Sequence, residues 1–386
     1  MPKISYLAKL EFFIVSLLTI LFMTLNKIEN AFFELLRIAL GTQEKMTVAL
    51  NDAEWKDVAQ MAVKQSVLGI LFTAVETLPE EQRPYNDLYI DMYKWVDTIE
   101  QRNEHMNKLT ASVSNRFRKD GFPNCILKGQ GVALLYPKPL RRHSGDVDVW
   151  LKGKRKDIIK YVKKIPSAEK AEYLHIGFKL NKKDIIEVHF RPSCAFNPIV
   201  NHRLEKWFAD KQDEQNNHIV TIPNTEYKIP VPTIEFNVIF ILHHIYRHFF
   251  NEGIGIRQLI DYFYVIKACD SLEESVKNRI THSLSQFGLD KFSRSIFWIL
   301  RELFGMNTDN YFMVDCDEIG GTQVLNEILI TGNMGYGDPN RKTKRFDRIT
   351  HRYKRLANFI VNYPSEILLR HPFLAYQNVK MYFTDN

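Results

Sequence analysis

The stretch HSGDVDVWL, residues 143–151, sets two aspartates one residue apart at the head of an apolar, β-branched run. The alternation predicts a strand, and strand side chains alternate faces, so Asp146 and Asp148 point to the same side. Like charges held close together raise each other's pKa. A chain carrying this stretch must therefore fold so that positive charge reaches that spot.

Short elements alternate around it, between residues 122 and 192. PNCILKG reads as a strand ending in a Lys128-Gly129 turn, QGVALLY as a short helix, and PKPLRRHSG as a loop. KRKDIIKYVKKI is a surface helix with a solvated lysine face. YLHIGFKLNKKDIIEVHFRP is a hairpin turning near Asn181–Asp184, with Glu187 and His189 on one face of its second arm. If that arm lies beside the aspartate strand, three carboxylates converge at one sheet end.

The flanks are helical in rhythm. Residues 51–79 open with an Asn-Asp start signal, carry an apolar stripe and stop at Pro79; residues 85–121 form a long amphipathic helix ending at Gly121. From residue 233 the chain is helical again. The expected organisation is a hydrophobic leader over 1–27, an N-terminal helical region over 28–121, an α/β core over 122–232 and a helical C-terminal domain over 233–386.

Three carboxylates in a small volume call for a cation, and oxygen-only ligation favours Mg²⁺ or Mn²⁺ over zinc. Two such ions about 4 Å apart would clamp an attacking oxygen and a leaving phosphate. Phosphate also needs donors. The helix start after Lys128-Gly129 offers backbone N–H groups, and Arg141 or Arg142, in the loop before the aspartates, is placed to fork onto a phosphate. The net charge of +7 suits an anionic ligand without requiring nucleic acid.

The run LKGQGVALLYPKPLRRHSGDVDVWL is similar to the bacterial family usually called uncharacterised nucleotidyltransferases, within the superfamily that shares a DNA polymerase β-type palm. The resemblance rests on Lys128-Gly129, Tyr136-Pro137, Arg142 and Gly145-Asp146-Val147-Asp148. EVHFRP at 187–192, GIGIRQLIDYF with Arg257 and Asp261, and LITGNMGYGD resemble later family segments, although Met334 stands where an aromatic residue is usual. It implies an α+β fold: a small mixed, palm-like sheet flanked by N-terminal helices and a helical C-terminal domain. It also implies transfer of a nucleoside monophosphate from an NTP to an acceptor, whether small molecule, protein or RNA. Asp146, Asp148 and Glu187 would hold Mg²⁺ (or Mn²⁺), with Glu187 helping to activate the acceptor. Lys128, Gly129, Arg142, Ser144, His189, Arg257 and Asp261 would contact nucleotide. The wider superfamily has Gly-Ser where this chain has Gly129-Gln130, so the alternative is a catalytically inactive nucleotide- or RNA-binding regulator that keeps the fold.

Other features carry less. His243, His244 and His248 on one apolar helix read as interface histidines, and Arg257 and Asp261, four apart, also suit an intrahelical ion pair. The basic run 341–355 reads as a solvated helix face, and no stable nucleic-acid partner is expected. The four cysteines have no metal-ligand spacing and are expected as reduced thiols in a cytoplasmic protein. The uncharged run from Phe12 to Asn26 is shorter than the roughly 20 apolar residues of a bilayer span. It is expected as a packed helix or a leader ahead of a start at Met23, with a membrane-surface anchor ranked below both.

Overall fold

The structure, a computed structural model, describes residues 25–308, 311, 315–335 and 345–385. The expected leader and residues 336–344, which include the start of the basic run, lie outside the described residues except for Leu25 onward.

The described chain opens with α1 (Lys27–Leu40), α2 (Asp52–Lys64), α3 (Leu68–Thr77) and α4 (Asn86–Lys119). Asn26 and Asn51 cap the first two, each in reciprocal exchange with a glutamate three residues on. The single helical signal over 51–79 resolves into two helices. The break falls at Ser66, where φ is +58°. Just before it the Gln65 side chain accepts from the Ile256 N–H at 3.0 Å and donates to the Ile328 carbonyl at 3.2 Å. A buried tertiary contact overrides the local periodicity there.

Next come β1 (Asn124–Leu127), α5 (Gly129–Ala133), β2 (Val147–Leu151), α6 (Arg155–Val162), β3 (His175–Lys179) and β4 (Ile185–His189). The sheet order is β1-β2-β4-β3, with β2 and β4 parallel and the outer pairs antiparallel. The structure adds α7 (Pro198–Asn217) and a hairpin of β5 (Ile219–Thr221) and β6 (Lys228–Pro230) to the expected elements. The start of α7 is written in the sequence: Asn197 caps it by accepting from the Ile199 and Val200 N–H groups, and Pro198 opens it. The remainder is helical: α8 (Ile234–Asn251), α9 (Ile256–Lys267), α10 (Glu274–Gln286), α11 (Asp290–Glu302), α12 (Glu318–Thr331), α13 (Arg345–Arg355), α14 (Pro364–Leu368) and α15 (Arg370–Asp385). The fold is α+β around a small mixed sheet. No helix among the described residues is long and apolar enough to cross a membrane.

The two sheet faces differ, and that difference positions the site. Val147, Val149, Ile186 and Val188 point into a core closed by Met106 and Phe117 of α4 and Ile158 of α6. Trp150, Cys125 and Leu127 point the other way, into a larger core with Phe32 of α1, Phe236 of α8 and Ile328 of α12. Trp150 stacks on Phe236 at 5.9 Å between ring centres; truncating such a ring to alanine costs about 3–5 kcal/mol. Helices from both ends of the chain thus share one core. Asp148 lies on the same face as Trp150, where that face leaves the helical core.

Asp184 ties the β3–β4 turn to α4. Its oxygens meet Arg102 at 2.6 Å, His105 at 2.9 Å and Asn181 at 2.6 Å. Burial alone would raise its pKa, but these partners outweigh it and pull the carboxyl down to about 2. A depressed folded-state pKa means stabilisation present above the unfolded value near 3.8 and lost as pH falls through 2. Asp184→Asn is therefore expected to cost roughly 2 kcal/mol at neutral pH. Urea unfolding from pH 7 down to pH 2 should show the difference between variant and parent vanish at the acid end.

Candidate functional site

Three carboxylates do meet. Asp148 of β2 lies directly beside Glu187 of β4 in the parallel register, and Asp146 immediately precedes β2. Ligand oxygens of Asp146, Asp148 and Glu187 all lie within 4.8 Å of one another. Asp146 is partly exposed, while Asp148 is buried.

Positive groups reach the cluster from two strands. Lys128 follows β1 and takes φ +52°, with Gly129 at +39°. A left-handed lysine costs on the order of 1 kcal/mol. The turn sets the Lys128 ammonium 2.9 Å from Asp148 Oδ1. A Cβ on Gly129 would come within 3.7 Å of the Asp146 carbonyl, so the turn packs against the loop bearing the aspartates. His189, two residues past Glu187, reaches the same Asp148 oxygen through Nε2 at 2.8 Å and stands 3.5 Å from Glu187 Oε2.

The electrostatics follow from these distances. The like charge of Asp148, then desolvation and Glu187, push Asp146 up to about 6 against the pull of Lys128. Burial alone would raise Asp148, yet Lys128 and His189 hold it well below the ordinary carboxylate range. Burial opposes the charged form of His189 too, but Asp148 and Glu187 outweigh it and raise its pKa. The cluster is thus one strongly ionised acid, one acid primed to take a proton or a cation, and a third leaning on two imidazoles. Such a donor set fits a hard divalent ion: oxygen ligands converge, and the repulsion on Asp146 is what a cation would relieve.

The remaining expected contacts fall elsewhere. Arg142 does not point its fork toward the cluster. It is 3% exposed, and its Nε and Nη2 meet the two oxygens of Asp261 at 2.6 and 2.8 Å. The Tyr136 hydroxyl donates to the same carboxylate at 2.6 Å. Asp261 is therefore paired across the core with Arg142, and these two residues, both expected to contact nucleotide, point to each other in this structure. Arg257 donates from Nη1 to the His143 carbonyl at 3.0 Å, in the loop that leads to Asp146. Ser144 is partly exposed in that loop. Gln130, in the place of the superfamily serine, turns away into the protein and donates to Asn107 of α4 at 2.6 Å.

Arg141, the other loop arginine expected to fork onto phosphate, clamps the loop from the other side, pairing with Glu76 of α3 and with Glu100 of α4 at 2.7 Å. One group carries no expectation. His175 of β3 faces Glu187 at 3.7 Å. Its signal lies in the hairpin itself: Lys182 is the midpoint of a register that pairs residue 175 with residue 189. Among the interface histidines, His243 is buried and bonds Ser193 at 2.9 Å. His244 and His248 lie 4.2 Å apart between ring centres, their planes tilted by 56°.

A mixed four-stranded sheet that gathers an Asp-x-Asp pair and a glutamate on neighbouring parallel strands defines the class of protein: a nucleotidyltransferase-type core. The chain belongs to the family described as uncharacterised nucleotidyltransferase, whose model matches residues 51–305. Among solved structures, an antigenic nucleotidyltransferase-like protein from Paracoccidioides brasiliensis is similar at 12% identity over 47% of this chain and 88% of that one, with a TM-score of 0.30. That likeness is too low to carry argument. No curated protein matches the sequence.

Proposed function

We propose that this protein moves a nucleoside monophosphate from an NTP to an acceptor, with Asp146, Asp148 and Glu187 holding Mg²⁺ (or Mn²⁺). The observation that carries the reading is the register that sets Asp148 beside Glu187 with Asp146 within ligand reach. A divalent ion held there supplies charge neutralisation to the triphosphate and to the attacking oxygen.

The chain's own groups divide the remaining work. Asp148, fixed by Lys128 and His189, is the rigid ligand. Asp146, on the open loop, is the one whose charge is least comfortable without a cation. Lys128, 2.9 Å from Asp148 Oδ1, would be available to phosphate if a cation shared the charge of that carboxylate. Glu187 accepts the proton of the acceptor as its oxygen bonds to the α-phosphorus and pyrophosphate leaves. The two arginines 141 and 142 bond only protein groups; their part is to hold the loop that delivers Asp146, so positioning is prepaid before substrate arrives.

The placement of Gln130 favours one second reading, a nucleotide-binding protein without transfer. Pure protein incubated with Mg²⁺ and labelled NTPs, alone and with cell extract, separates the two. Pyrophosphate release with label on an acceptor supports transfer, whereas nucleotide binding without release supports the second. The position of Asp146 near pH 6 also sets a pH dependence. Below about pH 6 a proton competes with the cation, so the Mg²⁺ concentration for half-saturation should rise about tenfold per pH unit. Calorimetric Mg²⁺ titrations at pH 7.5, 6 and 5 would read this directly.

A further inference from the structure

Beside the all-oxygen cluster lies a second group of different chemistry. His175, Glu187 and His189 bring one ligand atom each to within 4.8 Å of one another. The sheet enforces this. His175 and His189 are directly paired across the antiparallel β3–β4 ladder, and Glu187 is two residues from His189 on the same face. Opposite Glu187 the strand carries Gly177, and the Glu169 carboxylate fills the space a side chain there would take, 3.0 Å from where its Cβ would stand.

The spacings are informative. Glu187 Oε2 is 3.7 Å from His175 Nδ1 and 3.5 Å from His189 Nε2. Both are too long for good hydrogen bonds, which run about 2.7–3.2 Å. They are close to the separation of about 3.3 Å between ligands that surround one ion tetrahedrally at about 2.0–2.1 Å. His189 is 3% exposed, and its Nε2, the atom that faces Glu187, is also the one that meets Asp148 at 2.8 Å.

We propose that His175, Glu187 and His189 form a second cation seat that takes a nitrogen-ligated divalent ion of the Zn²⁺, Co²⁺ or Mn²⁺ class, with Glu187 shared with the oxygen-only seat. Two imidazoles and a carboxylate are a borderline donor set that Mg²⁺ does not favour. Asp148 need not follow when His189 turns to the ion, because Lys128 still holds the same oxygen at 2.9 Å. The inference goes beyond the transferase reading and needs no nucleotide to be tested.

The probe is Co²⁺, titrated into the full chain and followed by visible absorption, with Mn²⁺ and pulsed EPR to detect nitrogen coupling. His175 is a quarter exposed, so His175→Ala and His175→Gln should fold, which circular dichroism checks. Both variants are expected to weaken Co²⁺ binding by about 10-fold or more and to reduce the nitrogen coupling. Asp146→Asn is expected to retain the Co²⁺ absorption while losing Mg²⁺-dependent ATP binding. Unchanged Co²⁺ affinity in the folded His175 variants overturns the second seat and leaves the transferase reading standing. Mg²⁺-ATP binding that survives in Asp146→Asn overturns the transferase reading and leaves the second seat untouched.

Discussion

Asp148→Asn is expected to lower nucleotidyl transfer by about 10³-fold, the scale on which one preorganised electrostatic group acts in a closed site. Two effects combine. The amide removes a ligand charge from the cation seat, and it strands the Lys128 ammonium and His189, which both lean on Asp148 Oδ1. Lys128 already bears on the charge of Asp146, so the freed ammonium competes with the cation for a second carboxylate. Asp146→Asn should be equally inactive for a different reason and with a different stability signature. Asp146 is raised to about 6 by the like charge of Asp148. A raised carboxyl pKa means that the ionised form weighs against folding, so stability of the ion-free protein falls as pH rises from 4 through 6. Removing that charge should leave the melting temperature at pH 7.5 equal or higher while transfer is lost. Pyrophosphate-release rates and calorimetry on the two variants check both halves. A fully active Asp148→Asn protein would sink the proposed function.

Asp261→Ala is the second large effect, and it concerns the scaffold. Arg142 and Asp261 are both buried and joined by two short bonds between residues 119 apart in the chain. Burial works against either charge alone, yet the pair holds Arg142 above and Asp261 below their ordinary values, so both stay ionised. Removing one partner leaves an uncompensated buried charge, a loss of about 3–5 kcal/mol. Replacing both with apolar residues of similar size, Arg142→Met with Asp261→Leu, should cost less than either single change, because no charge is left stranded. Denaturant unfolding of the two singles and the double gives the comparison. Activity need not return with stability: the pair also fixes the loop that carries Asp146, and the double variant keeps the core while loosening that loop.

Much of the site was legible in the residues. Alternation in VDVWL fixes Asp148 and Trp150 on one face and Val147, Val149 and Leu151 on the other, and both faces are as that period requires. The turn at Asn181–Asp184 fixes the hairpin, and with it the facing of Glu187 and His189. What misled was chemistry without a partner in view. Arg142 in a loop before two aspartates has the right type for phosphate, and nothing local says that an aspartate from a distant helix takes both of its nitrogens. Gln65 looks like part of a helical stripe until Ile256 and Ile328 are brought to it.

The amino-acid order alone determined periods, turns and caps, because these depend on neighbours two to four residues apart and need no knowledge of the rest of the chain. It thereby settled which side chains share a face and where the paired acids stand. Which strand lies against β2, which cation neutralises Asp148 and which carboxylate captures Arg142 were decided only by tertiary packing. Those choices join residues from 20 to more than 100 positions apart, where the burial of two cores selects one arrangement among many that local preferences would equally allow.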